Sequence, residues 1–386
     1  MAGRKSRLRK KVKRIIIYTE AFFPRVGGGE SYSLDLATTL TSLGYSVKLI
    51  TPIKPESIDA FPFAVIRLTK PVIIKGFNLN FLEILKILLK NRTSIFHISG
   101  PTAIDSIIIL LCRMLKIPVV VTFHAQFNSR IGKVIVNING KLIYPLVNSL
   151  LIQSVRDIKF LRGLNQNLSL KLIYFNGVDR QKYNCSAASL LKNSDGSGAP
   201  FNFIFIGGIS SSRPYKGAEN LVSIFKRFFD EYAYENVYIT FIGGGDLLPK
   251  VRLQAQEYNN IRFKENLSDD LLLYELCMSD VLILPSISDG EGFGRVALEA
   301  ISCKRAVLVS KFAGISELIE KHKAGLVFDP LDIMDSIDKI KFIIDNRLSL
   351  KYYIENASNM IESEGLDLIS STKRTIKIYE EFSTLE

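Results

Sequence analysis

Two glutamates eight positions apart, Glu291 and Glu299, bracket Gly292, Phe293 and Gly294 in the run PSISDGEGFGRVALE, residues 285–299. Before it, Val281, Leu282, Ile283 and Leu284 form an apolar run that Pro285 closes, the pattern of a strand end. After it, RVALEAISCK sets Val296, Ala297, Ala300 and Ile301 at helical spacing. Strand, glycine-rich loop and helix start follow in order. Unpaired N–H groups and the positive helix end there make a seat for phosphate. Carboxylates beside bound phosphate would repel it, so Glu291 and Glu299 are better aimed at hydroxyl groups, which donate hydrogen bonds to them. A phosphate flanked by hydroxyl-rich rings describes a sugar nucleotide, although acids at a helix start also favour the dipole with no ligand at all.

Other candidates sit in equivalent places. Arg213 and Lys216 lie in SSSRPYKGAENL, which follows the strand FNFIFIGG and opens a helix, where two cations can hold a diphosphate by charge-assisted hydrogen bonds. Near the start, RIIIYT, the loop EAFFPRVGGGES, the helix SYSLDLATTLTSLG and the strand YSVKLIT read as a βαβ unit. Its Gly27, Gly28 and Gly29 occupy the phosphate-binding turn. The turn is not G-x-G-x-x-G and has no Walker lysine, which weakens dinucleotide and ATP readings. His97 and His124 each end a strand pattern, where open α/β sheets gather ligands. Either can equally be a hydrogen-bonded structural residue, and His322, in EKHKAG, reads as surface.

These elements need two scaffolds. A chain of 386 residues exceeds what one core usually serves, and 47% hydrophobic with 23% charged residues describes a folded chain. The patterns divide into a basic tail at 1–13, an N-terminal domain at 14–190, a Ser/Gly/Asp-rich linker at 191–200, a C-terminal domain at 201–350 and helices at 351–386. Cys112, Cys185, Cys277 and Cys303 show no Cys-x-x-Cys spacing, which suits a reducing compartment and argues against zinc. No apolar run reaches the length of a membrane span. A cytoplasmic chain is expected.

The net charge of +12 is uneven, since residues 1–14 hold eight Lys or Arg and no acid. Such a run is a solvated tail or an attachment to anionic lipid. Nucleic acid is disfavoured because no aromatic residue is there to stack on bases. Within residues 70–92, the pattern from Leu79 reads as a helix apolar over most of its surface, either packed into the core or docked on lipid beside Lys70, Lys75, Lys86, Lys90 and Arg92.

The run from Glu291 to Glu299, with PS before and EA after, resembles the glutamate–seven–glutamate signature of glycosyltransferase family 4. The resemblance extends over roughly residues 14–340 and is strongest at 276–330. It implies the GT-B fold: two doubly wound Rossmann-like α/β domains facing a cleft, with a C-terminal helix crossing back to the N-terminal domain. It places Glu291, Gly292, Phe293 and Gly294 around the donor sugar and diphosphate, and Glu299 on the ribose. It also sets Gly27, Gly28 and Gly29 near the diphosphate and His124 beside the sugar. KLIYFNGVD, residues 171–179, resembles the turn that closes the first domain. Lys216 and Gly217 match a family Lys-Gly, but Gly208 stands where an arginine is usual, leaving Arg213 to supply the guanidinium. Lys304 and Arg305 replace small residues, with an effect expected only at the surface.

The function so implied is retaining transfer of a hexosyl group from a nucleotide sugar to a glycan or lipid-linked acceptor. No cofactor is expected, and no metal, because the chain contains no Asp-x-Asp. The basic tail and the 70–92 segment suggest peripheral attachment to the inner face of a membrane. Two other classes remain: a sugar-nucleotide epimerase or phosphorylase-like enzyme, which would need no acceptor, and a non-catalytic carbohydrate- or membrane-binding protein.

Overall fold

The computed structural model describes residues 14–24, 27–55, 60–68, 73–74, 77–78, 81–101, 104–124, 130–185 and 200–382. The tail at 1–13 and the linker up to residue 199 lie outside the described residues, as does part of the 70–92 segment. Strands β1 (Arg14–Thr19), β2 (Ser46–Thr51) and β3 (Ala64–Arg67) open the chain, and β4 (Ile73–Ile74) pairs with β5 (Phe77–Asn78) as a short antiparallel ribbon. With β6 (Ile95–Gly100), β7 (Val119–Phe123), β8 (Ser149–Ile152) and β9 (Leu170–Leu172), the first three form a parallel sheet ordered β3-β2-β1-β6-β7-β8-β9. Helices α1 (Gly28–Ser42), α2 (Phe81–Lys90), α3 (Asp105–Met114), α4 (Arg130–Ile138) and α5 (Val155–Leu164) belong to this half.

The second sheet comprises β10 (Phe201–Ile206), β11 (Val237–Ile242), β12 (Ile261–Lys264), β13 (Val281–Leu284), β14 (Ala306–Ser310) and β15 (Leu326–Phe328), in the parallel order β12-β11-β10-β13-β14-β15. Its helices are α6 (Ala218–Glu231), α7 (Leu248–Gln254), α8 (Asp269–Met278), α9 (Arg295–Ser302), α10 (Ser316–His322) and α11 (Ile333–Asp345). Two more follow, α12 (Ser349–Ser363) and α13 (Leu368–Glu381).

Both sheets are buried on both faces, because successive side chains of a strand point to opposite sides. Ile15 and Ile17 pack with α1 residues such as Leu36 and Leu40, whereas Ile16 and Tyr18 join Ile108 and Ile109 of α3. Phe201, Phe203 and Phe205 meet Leu221 and Phe225 of α6, while Ile204 faces the opposite core with Ala297 and Ile301 of α9. Strand order reverses between β1 and β6 and again between β10 and β13, and a crevice opens outside the strand ends at such a point. The loops after β1, β10 and β13 carry the three glycine-rich or basic motifs. The fold therefore brings them to the crevices.

Of the C-terminal helices, α12 stays on the second domain, where Ala357, Met360 and Ile361 pack against the α9 side of the core. Only α13 crosses to the first, burying Ile376, Ile378 and Tyr379 among α1 and β1 residues. The NGVD turn anchors the crossing: Val178 N–H donates to Leu366 O and Leu368 N–H donates to Val178 O. Gly177 is needed there, because a Cβ would lie 2.7 Å from Asp367 O. At the far end the Tyr379 hydroxyl sits 2.5 Å from His97 Nδ1, while His97 Nε2 is 3.3 Å from Thr122 Oγ1. His97 is thus an architectural residue.

Three expectations are corrected. Helix α1 begins at Gly28, not after the glycines, with Gly27 as its N-cap, so Gly28 and Gly29 form part of its first turn. Arg305 is buried, not on the surface: its Nε donates to Cys303 O and its Nη1 to Ser279 O, each at 3.0 Å. The cysteines are not all free thiols, because Cys185 and Cys277 are joined by a disulfide across 92 residues. That separation is why spacing along the chain did not reveal it.

The His97 ring is fully buried, and burial, followed by the neighbouring His124, pushes its pKa down to about 3 from an ordinary 6.5. The unfolded chain then binds more protons between those values, so stability is full above pH 6.5 and falls as the pH drops. Urea unfolding between pH 7 and pH 5 should show a loss approaching about 1.4 kcal/mol per pH unit from this one group. A flat profile over that interval would contradict a buried neutral imidazole. Tyr379→Phe should lower the unfolding free energy by about 1–3 kcal/mol, since it leaves a buried ring nitrogen without its partner. An unchanged urea midpoint would show that the contact contributes nothing.

Candidate active site

The loop after β13 is shaped by its carboxylate. Glu291 is buried, and its Oε2 accepts from Lys216 Nζ at 2.7 Å and from Ser286 Oγ at 2.9 Å. Burial opposes the charge on Lys216, but Glu291 outweighs it and holds the ammonium pKa above the ordinary lysine value. The approach depends on Gly217. This residue has φ 72 and caps α6, and a Cβ on it would come within 2.1 Å of Pro285 O. Any other residue would push the Lys216 turn away from the donor loop. Ile287 N–H, donating to Tyr215 O at 2.8 Å, closes the same contact.

The loop then enters α9. Gly314 N–H donates to Gly292 O and Ile315 N–H to Phe293 O, which fixes the backbone from behind. The N–H groups of the first helical turn are left to point out of the helix end. The Phe293 side chain is core, packed with Leu284, Leu298 and Ile315. It reaches the site through its backbone alone. One turn on, burial raises the pKa of Glu299, against the opposing pull of Arg295. Tyr183 is its hydrogen-bonding neighbour.

Across the crevice, the start of α1 meets these groups. A Cβ on Gly27 would lie 3.3 Å from Arg213 Nη1, and one on Gly28 would lie 3.8 Å from Arg295 Cδ. Arg213 Nη2 is 3.8 Å from Glu30 Oε1, and its Cδ would stand 3.6 Å from a Cβ on Gly208. The guanidinium thus occupies space beside the position that lacks one. The structure sets Gly29 against Ala21, one step further from the second domain. His124, half-buried, has its Nε2 2.9 Å from Ser99 Oγ and its ring against Tyr32 and Phe175. Burial, then the Arg295 charge, pushes its pKa down to about 3, so it is a neutral imidazole.

Sequence reasoning missed five residues that join the domains: Arg295, Asp35, Arg156, Asp289 and Glu317. Arg295 Nη2 donates to Asp35 Oδ2 at 2.5 Å and Nη1 reaches Asn176 Oδ1 at 3.4 Å. Burial raises the Asp35 pKa, with Arg295 opposing. Arg156, at the start of α5, pairs with Asp289 at 2.9 Å and donates to Phe312 O at 2.5 Å and to Glu291 O at 3.4 Å. Glu317 accepts from the backbone N–H groups of Val155 and Arg156. A signal was present for Arg295: an arginine at a helix N-terminus opposes the helix dipole, and the first turn of α9 has no acid to offset it.

Two family models match the chain: glycosyltransferase family 4 over residues 26–159 and glycosyl transferases group 1 over residues 192–360. A D-inositol 3-phosphate glycosyltransferase of Corynebacterium jeikeium is 25% identical over 48% of this chain and 45% of its own length. The sulfoquinovosyl transferase SQD2 of Arabidopsis thaliana is 24% identical over 66% and 51%. The chain therefore spans about half the length of these two curated relatives. The phosphatidylinositol N-acetylglucosaminyltransferase GPI3 subunit of Saccharomyces cerevisiae is 22% identical over 96% of this chain and 83% of that protein. Among solved structures, Anabaena Alr3699/HepE in complex with UDP superposes with a TM-score of 0.76 at 16% identity, over 96% of this chain and all of that one. Two matching family models, the Glu291–Glu299 run and two facing parallel sheets agree: the chain belongs to glycosyltransferase family 4 and has the GT-B fold.

Proposed function

We propose that the protein is a glycosyltransferase that moves a hexosyl group, with retention of configuration and without a metal, from a nucleotide sugar to a glycan or lipid-linked acceptor. The observation that carries this reading is the pairing of Lys216 with Glu291 at the mouth of a helix-start phosphate seat, with Glu299 one turn along. In this reading the diphosphate lies against the first turn of α9, within reach of Lys216 and Arg213. As the glycosidic bond breaks, negative charge grows on the leaving diphosphate. Those cations and the helix end stabilise it, the kind of fixed electrostatic term that usually dominates catalysis. Glu299 accepts from the ribose hydroxyls, and the neutral His124 hydrogen-bonds the sugar without repelling or attracting its charge. The complex of HepE with UDP supports a nucleoside diphosphate as leaving group.

A lipid-linked acceptor has its own support. Val134, Ile138 and Leu142, spaced one turn apart on α4 and the turn after it, are 57%, 51% and 67% exposed. Exposed Lys133 and Lys141 flank them. Helix α3, tied to this segment by Ser106 Oγ donating to Asn139 Oδ1 at 2.6 Å, adds exposed Leu110, Arg113 and Met114. An apolar stripe edged by cations suits an anionic lipid surface, where each basic residue contributes about 1 kcal/mol. On α2, Ile84 and Leu88 are buried, but Phe81, Leu82 and Leu89 are exposed, so that helix serves both the core and such a surface. GPI3, by its name, acts on phosphatidylinositol. Attachment at the inner face of a cytoplasmic membrane is part of the same proposal.

Thermal unfolding with UDP, GDP and ADP tests the donor site. One nucleotide at 100 times its dissociation constant should stabilise the wild type by about 2.7 kcal/mol, and Glu299→Ala should abolish most of that. A shift that survives in Glu299→Ala would remove the ribose role. Liposomes containing phosphatidylserine should pellet the full chain at low salt, and Val134→Ser/Ile138→Ser/Leu142→Ser should leave more of it in the supernatant. Equal sedimentation with and without liposomes would end the membrane proposal.

A further inference from the structure

Behind the Glu299 side of the donor site lies a cluster of sulfur that the reaction does not use. The Sγ atoms of Cys185, Cys277 and Cys303 lie within 4.8 Å of one another, all three residues buried. Cys185 and Cys277 are bonded, and Cys303 is a free thiol. Their places in the fold differ. Cys277 sits in α8 and Cys303 caps the end of α9, both within the second domain, whereas Cys185 ends the stretch that leaves the NGVD turn of the first. The observed bond therefore ties that stretch to the second domain.

The stretch reaches the donor site directly. Ser302 Oγ donates to Tyr183 O at 2.7 Å, and Tyr183 is the hydrogen-bonding neighbour of Glu299. Cys303 N–H donates to Glu299 O at 3.1 Å, so the third sulfur lies one turn from the carboxylate. The ion pairs of this stretch, Lys182 with Asp269 and Arg180 with Glu362, are exposed and contribute little. The disulfide is the strong anchor.

We propose that Cys185, Cys277 and Cys303 form a redox-modification site whose pairing sets the affinity of the Glu299 subsite for the nucleotide. The bond can leave Cys185 in two ways. A small dithiol supplies two electrons and two protons, giving Cys185 and Cys277 thiols and its own disulfide. Alternatively Cys303, as thiolate, attacks Cys277 Sγ; the Cys277–Cys303 bond forms, the Cys185–Cys277 bond breaks, and the proton lost by Cys303 ends on Cys185. Either event frees residues 183–185 from the second domain and costs Tyr183 its fixed position on Glu299. Burial pushes the Cys303 thiol up to about 12, which keeps it protonated and makes the exchange slow.

The nucleotide side of this inference rests on the donor site proposed above, so its test uses two readouts. The unreduced full chain, denatured and alkylated, should show two free cysteines, rising to four after dithiothreitol. In the native chain, UDP should bind about three- to tenfold more weakly after reduction, the cost of re-ordering one or two side chains. Cys185→Ser should weaken it equally without reductant. Peptide mapping after brief exposure to substoichiometric dithiothreitol should find some Cys277–Cys303 in the wild type, and Cys303→Ser should retain Cys185–Cys277 alone. Hydrogen exchange over residues 295–303, read without nucleotide, should quicken by about threefold or more on reduction. Four free cysteines in the unreduced chain would overturn the proposal, as would UDP affinity indifferent to reduction. If UDP fails to bind in either state, the proposed function is at fault. The exchange readout then decides this site, and unchanged exchange overturns it.

Discussion

A positive side chain at the positive end of a helix is a local conflict, and this protein contains it twice. Arg295 opens α9 and Arg156 opens α5. The first turn of α9 offers Arg295 no acid, whereas α5 has Asp157 and the Ser154 cap. Arg295 finds Asp35 on α1 of the other domain, and Arg156 finds Asp289, Phe312 O and Glu291 O. Glu317 completes the exchange by accepting from the exposed N–H groups of α5. Part of what satisfies each helix start thus comes from the other domain. The same atoms that close the crevice stabilise the two helix ends.

This conflict has a use at a phosphate seat. A helix end with a cation already on it repels other cations and concentrates positive potential where a diphosphate would lie. The seat stays compact without ligand because carboxylates hold the cations: Glu291 holds Lys216, Glu30 approaches Arg213, and Asp35 holds Arg295. In the proposed function, a diphosphate arriving there would replace acceptors already in place and would not have to gather mobile lysines and arginines. Less ordering entropy is then lost on binding.

The architecture was legible because its signals are local. Near-continuous apolar runs such as RIIIYT and FNFIFI mark parallel strands buried on both faces. The donor loop was legible for the same reason, since Glu291, the glycines and Glu299 lie within one strand–loop–helix step. What sequence could not supply were relations created by packing. Arg305 follows a helix end and looks solvent-facing, yet the chain turns so that Cys303 O and Ser279 O enclose its guanidinium. Phe293 stands amid glycines in the donor loop, but its ring is drawn into the hydrophobic core and only its backbone serves the loop. Cys185 and Cys277 meet because α8 packs beside the stretch after the NGVD turn, a fact of tertiary structure alone.

The Arg213 side chain fills the space beside a position that carries none. At Gly208 the backbone has no side chain, and the space beside it is filled by the Arg213 side chain, whose Cδ would meet a Cβ there at 3.6 Å. An arginine at 208 and the present Arg213 would compete for one volume and repel one another. The glycine at 208 leaves the room that the Arg213 side chain takes. The guanidinium is delivered to Gly27 and Glu30 from within the loop, with Pro214 at the start of the following 3₁₀ turn fixing the backbone beside it. Position in space, set by the β10 strand end and the α6 helix start, is what the site selects. The residue number that supplies it is secondary.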